Sequence, residues 1–303
     1  MNDSKILVAG SLAFDVIFSI PGDFRQSIAV QDGQIKNFNA TYIADSKSEY
    51  PGGTAGNIAA WCGSVGTTVS IFSAWGKDLN SKGYQEQLEQ RGHHLRGSCG
   101  EFTAHCYNVS DPLHQQLVIW QPNHYEANRN QKLSEHYTSA EIKNFEWAIF
   151  AAGTPDSIVK HMVEFKAANA KAFVMFDPGQ VSPFFTEEQF KACVKNADLI
   201  IGNQTEGEHF ERYMHNFWPE NIIRVTTLGA KGLSYKENRE AELISLPAPK
   251  VEVVKETTGA GDALRAGLVQ GLSQNKSLKE SLTLGMQLAA ASVALPHPQP
   301  DSA

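Results

Sequence analysis

The chain has 303 residues, 42% hydrophobic and 19% charged, with a formal net charge of 26 − 33 = −7. That is globular composition with ample material for a core, and it excludes a disordered chain, a collagen-like repeat and a disulfide miniprotein. The mild acidity gives no electrostatic reason to expect nucleic acid or an anionic membrane as a partner, although a small phosphorylated ligand needs only a local field.

In chain order, residues 5–10, KILVAG, read as a short buried strand closed by a glycine turn, and 14–20, FDVIFSI, as a second strand. The stretch 34–48 is polar and β-leaning. At 52–66 glycines open a small-residue helix expected from about 55 to 64. VSIFSAWG at 69–76 predicts a strand and SKGYQEQLEQRG at 81–92 an amphipathic helix. Residues 102–121 carry two β-like runs around the turn-like DPLH. The pattern then becomes regular, with helices expected at 139–144, 155–169 and 187–195 and strands at 147–151, 172–176 and 198–201. A strand at 222–227 ends in a glycine turn, 233–236 and 241–245 suggest a hairpin, and helices at 260–273 and 277–294 follow.

This alternation predicts an α/β fold with a mostly parallel sheet covered by helices. The β-rich segments at about 14–50 and 100–121 break the alternation. They read either as a small lid on the main domain or as edge strands of one large mixed sheet. The Pro-rich PHPQP at 296–300 reads as a flexible end or an extended segment near a site.

The cysteines, Cys62, Cys99, Cys106 and Cys193, form no CxxC pair. No signal segment opens the chain, and the apolar stretch from Leu282 to Leu295 is too short and too interrupted to span a bilayer. The expectation is a cytoplasmic protein with free thiols. Cys99 and Cys106 flank His105, but no complete four-ligand metal spacing appears.

Three glycine clusters fall where a parallel sheet puts its functional loops. The strongest is ETTGAGDALRAG at 256–267, where Gly259 and Gly261 permit a tight turn and close backbone approach to a ligand. The helix expected from Ala260 would turn its unpaired N–H groups toward an anion. Asp262, in its first turn, is either an acid that favours a helix N-terminus or a base beside a phosphate nest. The second cluster, TTLGAKG at 226–232, is either a phosphate-covering turn, with Thr227 as donor, or a plain β-turn. The third, PGGTAGNIA at 51–59, lets backbone amides at Gly52 and Gly53 approach a polar ligand, with Asn57 as a hydroxyl partner or a turn cap. Neither the first nor the second cluster has the GxxxxGK[ST] spacing or the GxGxxG fingerprint, so a nicotinamide dinucleotide site has little support.

Together the clusters resemble the ribokinase-like (PfkB) family of sugar and nucleoside kinases. The resemblance rests on Glu256-Thr257-Thr258-Gly259-Ala260-Gly261-Asp262, on Gly52-Gly53 with Asn57, on Asn203 to Glu206, and on Thr227-Leu228-Gly229-Ala230-Lys231-Gly232. It covers roughly residues 5–295. Within the family the chain looks like the bacterial adenosine kinases, through GSLAFD at 10–15, FSIPGDF at 18–24, Asp177-Pro178-Gly179-Gln180 and Arg265. The resemblance implies a three-layer α/β/α core over residues 1–303, with a β-sheet lid built from about 14–50 and 100–121.

It further implies transfer of a phosphoryl group from MgATP to the 5′-hydroxyl of adenosine, or of another nucleoside or sugar in the alternative. Asp262 would be the base, and the N–H groups of Ala260, Gly261 and Asp262 would form the anion hole. Asp15, Gly53 and Asn57 would hold ribose hydroxyls, Ser11 would add a polar contact, and Gln180 would reach ribose or base. Trp120 would stack on the base. Asn203 and Glu206 would act on Mg²⁺ through water, while Thr227, Gly229 and Gly232 would line the ATP phosphates. Arg265 would bind phosphate or ion-pair within the fold. His105 and Cys106 stand where the adenosine kinases carry Arg and Phe, so one aromatic wall is missing. Glu256 replaces the usual Asp and the tail lacks the closing-loop glycine and threonine, which weakens the case for a monovalent cation. Lid edge strands suit a homodimer.

Overall fold

The computed structural model describes residues 4–23, 29–31, 34–37, 41–113, 115–215 and 218–300. The expected segments that fall on 24–28, 32–33 and 38–40 lie in part outside the described residues.

The strands are β1 (Ile6–Ala9), β2 (Ala13–Ser19), β3 (Ala29–Gln31), β4 (Gln34–Asn37), β5 (Ser46–Gly52), β6 (Ser70–Gly76), β7 (His94–Gly100), β8 (Ala104–Ser110), β9 (Gln116–Gln121), β10 (Trp147–Phe150), β11 (Phe173–Phe176), β12 (Leu199–Asn203), β13 (Ile223–Thr227), β14 (Leu233–Lys236) and β15 (Ile244–Leu246). The helices are α1 (Thr54–Ser64), α2 (Asp78–Ser81), α3 (Tyr84–Gln90), α4 (Ser139–Asn144), α5 (Pro155–Ala168), α6 (Glu187–Lys195), α7 (Gln204–Met214), α8 (Ala260–Ser273) and α9 (Leu278–Ser292).

A nine-stranded sheet runs in the order β15-β14-β13-β12-β11-β10-β1-β6-β7. Its strands from β13 to β7 pair in parallel, and only the β13-β14-β15 edge is antiparallel. Side chains alternate across the sheet because a strand has a period of two. Val8, Ile71, Ile149, Met175 and Ile201 face one core with α1, α8 and α9. Leu7, Phe72, Phe150, Val174 and Ile200 face the other, with α4, α5, α6 and α7. The result is the expected three-layer α/β/α core.

A second sheet, β5-β2-β8-β9, is separate from the first. This decides for a lid sheet and against edge strands of one large sheet. The segment expected from residue 100 starts later, at β8. Residues 94–100 form instead the edge strand β7 of the main sheet, which the sequence reading missed. HLRGSCG carries two glycines where strands favour β-branched residues. At Gly97 a Cβ would stand 1.7 Å from the Ser73 carbonyl oxygen, so the glycine lets β6 and β7 approach.

Two helical expectations also change. The helix expected at 81–92 is broken into α2 and α3, because Gly83 between them takes φ +77°. Helix α7 was not predicted, since QTEGEHFERYM has few apolar residues; its signal was the N-x-x-E pair at 203–206, a capping box.

Candidate active site

Parallel α/β sheets bind ligands beyond the carboxyl ends of their strands, where the strand order reverses. Here β6 and β10 lie on opposite sides of β1. A cavity of about 1110 Å³ opens at that end, lined by residues that follow β1, β10, β11, β12 and β13, by the first turn of α8 and by the lid. Such a volume holds more than one small ligand.

Its base is the turn before α8. Gly259 takes φ +82°, and a Cβ there would stand 2.7 Å from Pro298. Glu256 caps the turn, accepting from the N–H groups of Thr257 at 2.8 Å and Thr258 at 3.0 Å and from the Thr258 hydroxyl at 2.9 Å. The Ala260 N–H donates to the Thr257 carbonyl at 3.3 Å, so it is spent on the turn rather than on an anion. Gly261 and Asp262 supply the first-turn donors that have no acceptor among the described residues, as helix geometry requires.

Asp262 is reachable from the cavity but enclosed by protein elsewhere. Its Oδ2 accepts from Asn57 Nδ2 at 2.8 Å. Desolvation pushes its carboxyl up to about 7, against the pull of the Asn57 hydrogen bond and of Arg265. Raised in this way, the Asp262 carboxyl holds a proton more tightly than an exposed aspartate, as suits a general base.

Arg265, one turn along α8, is buried and makes the ion pair the sequence left open. Its Nε and Nη2 donate to Asp177 at 2.8 and 3.1 Å. Burial would favour the neutral form, but Asp177, Asp262 and Glu206 keep the guanidinium charged. Its Nη1 lies over Gly261, 2.8 Å from where a Cβ would stand, beside the first-turn N–H groups. Asp177 entered the sequence analysis only as part of the segment that carries the resemblance, with no role for its side chain; an acid after a strand carries no signal of its partner 88 positions away.

Asp15 is 6% exposed and lines the cavity from β2. Its carboxylate takes no hydrogen bond from the described residues, and burial followed by the charge of Glu256 pushes it up to about 7. A buried carboxylate without a donor is costly unless a ligand supplies one. Gly52 leaves room for it, since a Cβ there would fall 2.1 Å from Asp15 Oδ2. Gly53 takes φ +82° close against the Ser11 carbonyl.

Ser11 and Asn57 are less available than expected. The Ser11 hydroxyl accepts from the Thr54 N–H at 3.1 Å and its carbonyl from the Ala55 N–H at 3.0 Å, so Ser11 caps α1, whose own cap Gly53 has no side chain. Asn57 spends its carbonyl on Gln299 at 3.0 Å and one N–H on Asp262, leaving one N–H for a ligand.

Asn203 and Glu206 form the cap of α7: the Glu206 N–H donates to Asn203 Oδ1 at 2.9 Å and the Asn203 N–H to Glu206 Oε2 at 2.8 Å. Both still line the cavity. Burial, then the charge of Asp177, pushes the Glu206 carboxyl up. Asp15, Asp177, Glu206 and Asp262 all line the cavity, and carboxylate oxygens are the donors that a hard divalent ion takes. No group of three or more ligating side chains exists among the described residues, so such an ion would be held by phosphates and water, with Glu206 attending it. Thr227 lines the cavity, its hydroxyl 3.5 Å from the Gly202 carbonyl. Gly229 and Gly232 do not reach the cavity wall. Gly232, at φ +100° with a Cβ position 2.0 Å from the Leu246 carbonyl oxygen, shapes the turn into β14.

From the lid, Cys106 and Trp120 stand on the wall with Asp15. Trp120 is 42% exposed and meets Tyr125 edge to face at 6.0 Å. Gln180, after β11, is exposed on the same cavity. His105 stacks on Tyr107 at 5.8 Å, and Cys99 lies exposed on β7. No helix among the described residues is long and apolar enough to cross a membrane.

Comparisons with known proteins bear on the fold and the family. A nucleoside kinase of Burkholderia thailandensis solved in complex with inosine superposes with a TM-score of 0.84 at 23% identity, over 98% of this chain and 93% of that one. In sequence, the chain is 24% identical to a nucleoside kinase of Methanocaldococcus jannaschii, over 94% of this chain and 89% of the relative. It is also 24% identical to adenosine kinase 1 of Arabidopsis thaliana, over 85% and 80%. Nucleoside kinases stand beside adenosine kinases here, so the narrower likeness to adenosine kinase reduces to the family. The model of the pfkB family carbohydrate kinases matches residues 25–302, and the chain belongs to that family of kinases.

Proposed function

We propose that the chain is a nucleoside kinase that transfers the γ-phosphoryl group of ATP to the 5′-hydroxyl of a purine ribonucleoside, giving the nucleoside 5′-monophosphate and ADP. Adenosine is one candidate acceptor. Inosine, the ligand of the Burkholderia relative, is the other to test first. The observation that carries the reading is Asp262: a carboxylate held by Asn57 beside two unpaired first-turn N–H groups, with its proton affinity set near neutrality.

Asp262 Oδ1 takes no hydrogen bond from the described residues and is the atom that accepts the 5′-hydroxyl proton as the new O–P bond forms. The Gly261 and Asp262 N–H groups and Arg265 Nη1 receive the charge that spreads over the equatorial phosphoryl oxygens. Asp15 accepts hydrogen bonds from ribose hydroxyls, which offsets the cost of its burial. Trp120 offers an indole face to the base. Glu206 and Asn203 would hold Mg²⁺ through water, and the ion would supply positive charge to the nucleotide phosphates. The lid excludes water from the phosphoryl group.

A panel of adenosine, inosine, guanosine, ribose and fructose with MgATP, read by ADP release, tests this. A purine nucleoside should give the highest kcat/KM. A sugar outpacing every nucleoside by about tenfold, or about 1.4 kcal/mol of transition-state binding, overturns the substrate class.

A further inference from the structure

We infer that Gln299, in the C-terminal segment after α9, is a positioning residue that orients Asp262 by locking the amide of Asn57. The inference rests on the reading of Asp262 as the base.

The segment is fastened across the start of α8. The Trp61 indole N–H donates to the Pro298 carbonyl at 2.9 Å and Arg91 Nη2 to the Pro300 carbonyl at 2.8 Å. Pro298 packs where Gly259 has no side chain. The Tyr50 ring meets His297 at 5.4 Å. Gln299, 7% exposed, is thereby brought between α1 and α3.

From there a one-way chain of hydrogen bonds runs to the site. Gln299 Nε2 donates to Asn57 Oδ1 at 3.0 Å and to the Tyr84 hydroxyl at 2.7 Å. Tyr84 donates onward to the Gly52 carbonyl at 2.9 Å, and Asn57 Nδ2 to Asp262 Oδ2 at 2.8 Å. Flipping the Asn57 amide would set donor against donor at Gln299 and acceptor against carboxylate at Asp262. Gln299 thus removes the one alternative that would leave Asp262 without its donor, and the second arm holds the backbone at Gly52 beside Asp15.

The Asn57 bond favours the charged form of Asp262. Arg265 on the same helix does the same, while Asp177 after β11 and Asp15 on β2 oppose it. Loosening the amide therefore raises the pH at which Asp262 becomes a base.

The test is Gln299→Met, which keeps length and volume without a donor, and Gln299→Glu, which keeps shape and solubility. Each is assayed in the full chain for kcat, nucleoside and ATP KM, the acidic limb of the pH–rate profile and thermal melting. The expected result is a loss of kcat of about tenfold, the scale of one hydrogen bond to a charged group. The acidic limb moves to higher pH and ATP KM stays within about twofold. Asn57→Ala combined with Gln299→Met should lose little beyond Asn57→Ala alone, since both act on one bond. A lowered melting temperature with kcat and limb unmoved in whichever variants fold overturns the inference. Asp262→Asn, run alongside, separates the failures: if it inactivates while both Gln299 variants behave as wild type, only the positioning role falls. If Asp262→Asn stays active, the base reading falls and takes this inference with it.

Discussion

Asp15 stands directly opposite Cys106 on the neighbouring parallel strands β2 and β8, and both side chains reach the cavity. Cys106 in turn is opposite Trp120 on β9. The lid thus presents a carboxylate, a thiol and an indole in one row across three strands. Burial, and then the charge of Asp15, pushes the Cys106 thiol up to about 12.

A thiol so raised is protonated at neutral pH and reacts slowly with electrophiles. With iodoacetamide at pH 7.5, mass spectrometry should find the exposed Cys99 modified first and Cys106 well behind it. Saturating nucleoside should slow Cys106 further, and ATP alone should not. Modification of Cys106 as fast as Cys99, or without protection by nucleoside, would overturn the proposal that nucleoside binds against this part of the cavity wall.

Asp262→Asn keeps the shape and the Asn57 contact but removes basicity. Base catalysis contributes about 10²–10⁴-fold, so kcat should fall at least about a hundredfold. Nucleoside affinity by calorimetry should survive, because Asp15 and the lid remain. A kcat within about threefold of wild type on folded protein would sink the general-base role.

The same carboxylate carries a stability signature. Its ordinary value is 3.8 and the folded protein raises it to about 7, so the native state holds the proton more tightly than the unfolded chain. That contribution is full below the ordinary value and is lost as pH rises toward 7, leaving a charge enclosed by protein. Asp262→Asn avoids that charge. Without ligands, its melting temperature relative to wild type should therefore be higher at pH 8 than at pH 5. An unchanged difference across this window would show that Asp262 is not desolvated in the folded chain.

Trp120→Ala removes the indole face. Stacking of a base on an aromatic ring contributes about 1–3 kcal/mol, so nucleoside KM should rise roughly tenfold or more with ATP KM nearly unchanged. If nucleoside KM holds and the elution volume on size exclusion shifts instead, Trp120 serves an interface between copies.

Arg265→Met leaves Asp177 buried without its partner. Breaking a buried pair from one side costs about 3–5 kcal/mol, whereas surface pairs contribute less than about 1. The variant should lose much of its stability in a denaturant titration. Arg265→Met together with Asp177→Leu should recover a good part of it while staying inactive. A double variant no more stable than the single one would mean that the pair is not what makes Arg265 structurally necessary.

Local physics made much of this protein legible in the sequence. Strand alternation after residue 139, the helix from Ala260 and the glycine turns before it follow from periodicity and from backbone angles that only glycine adopts easily. Hence the α/β class and the glycine loops at the strand ends were within reach, whereas the base role proposed for Asp262 rested on the family resemblance. What a segment cannot report is the partner it meets across the fold. Asn57 read as a ribose ligand, yet it divides its amide between Asp262 and Gln299, 205 and 242 positions away. Arg265 read as a phosphate ligand or an ion-pair partner within the fold, and the structure gives it Asp177. Asn203 and Glu206 read as metal-directed and first cap their own helix. The tail read as either a flexible end or an extended segment near a site, and only the fold fastens it across the start of α8. In each case the side chain's chemistry was visible, but hydrogen-bonding groups are finite in number, and only the folded chain decides which partner claims them.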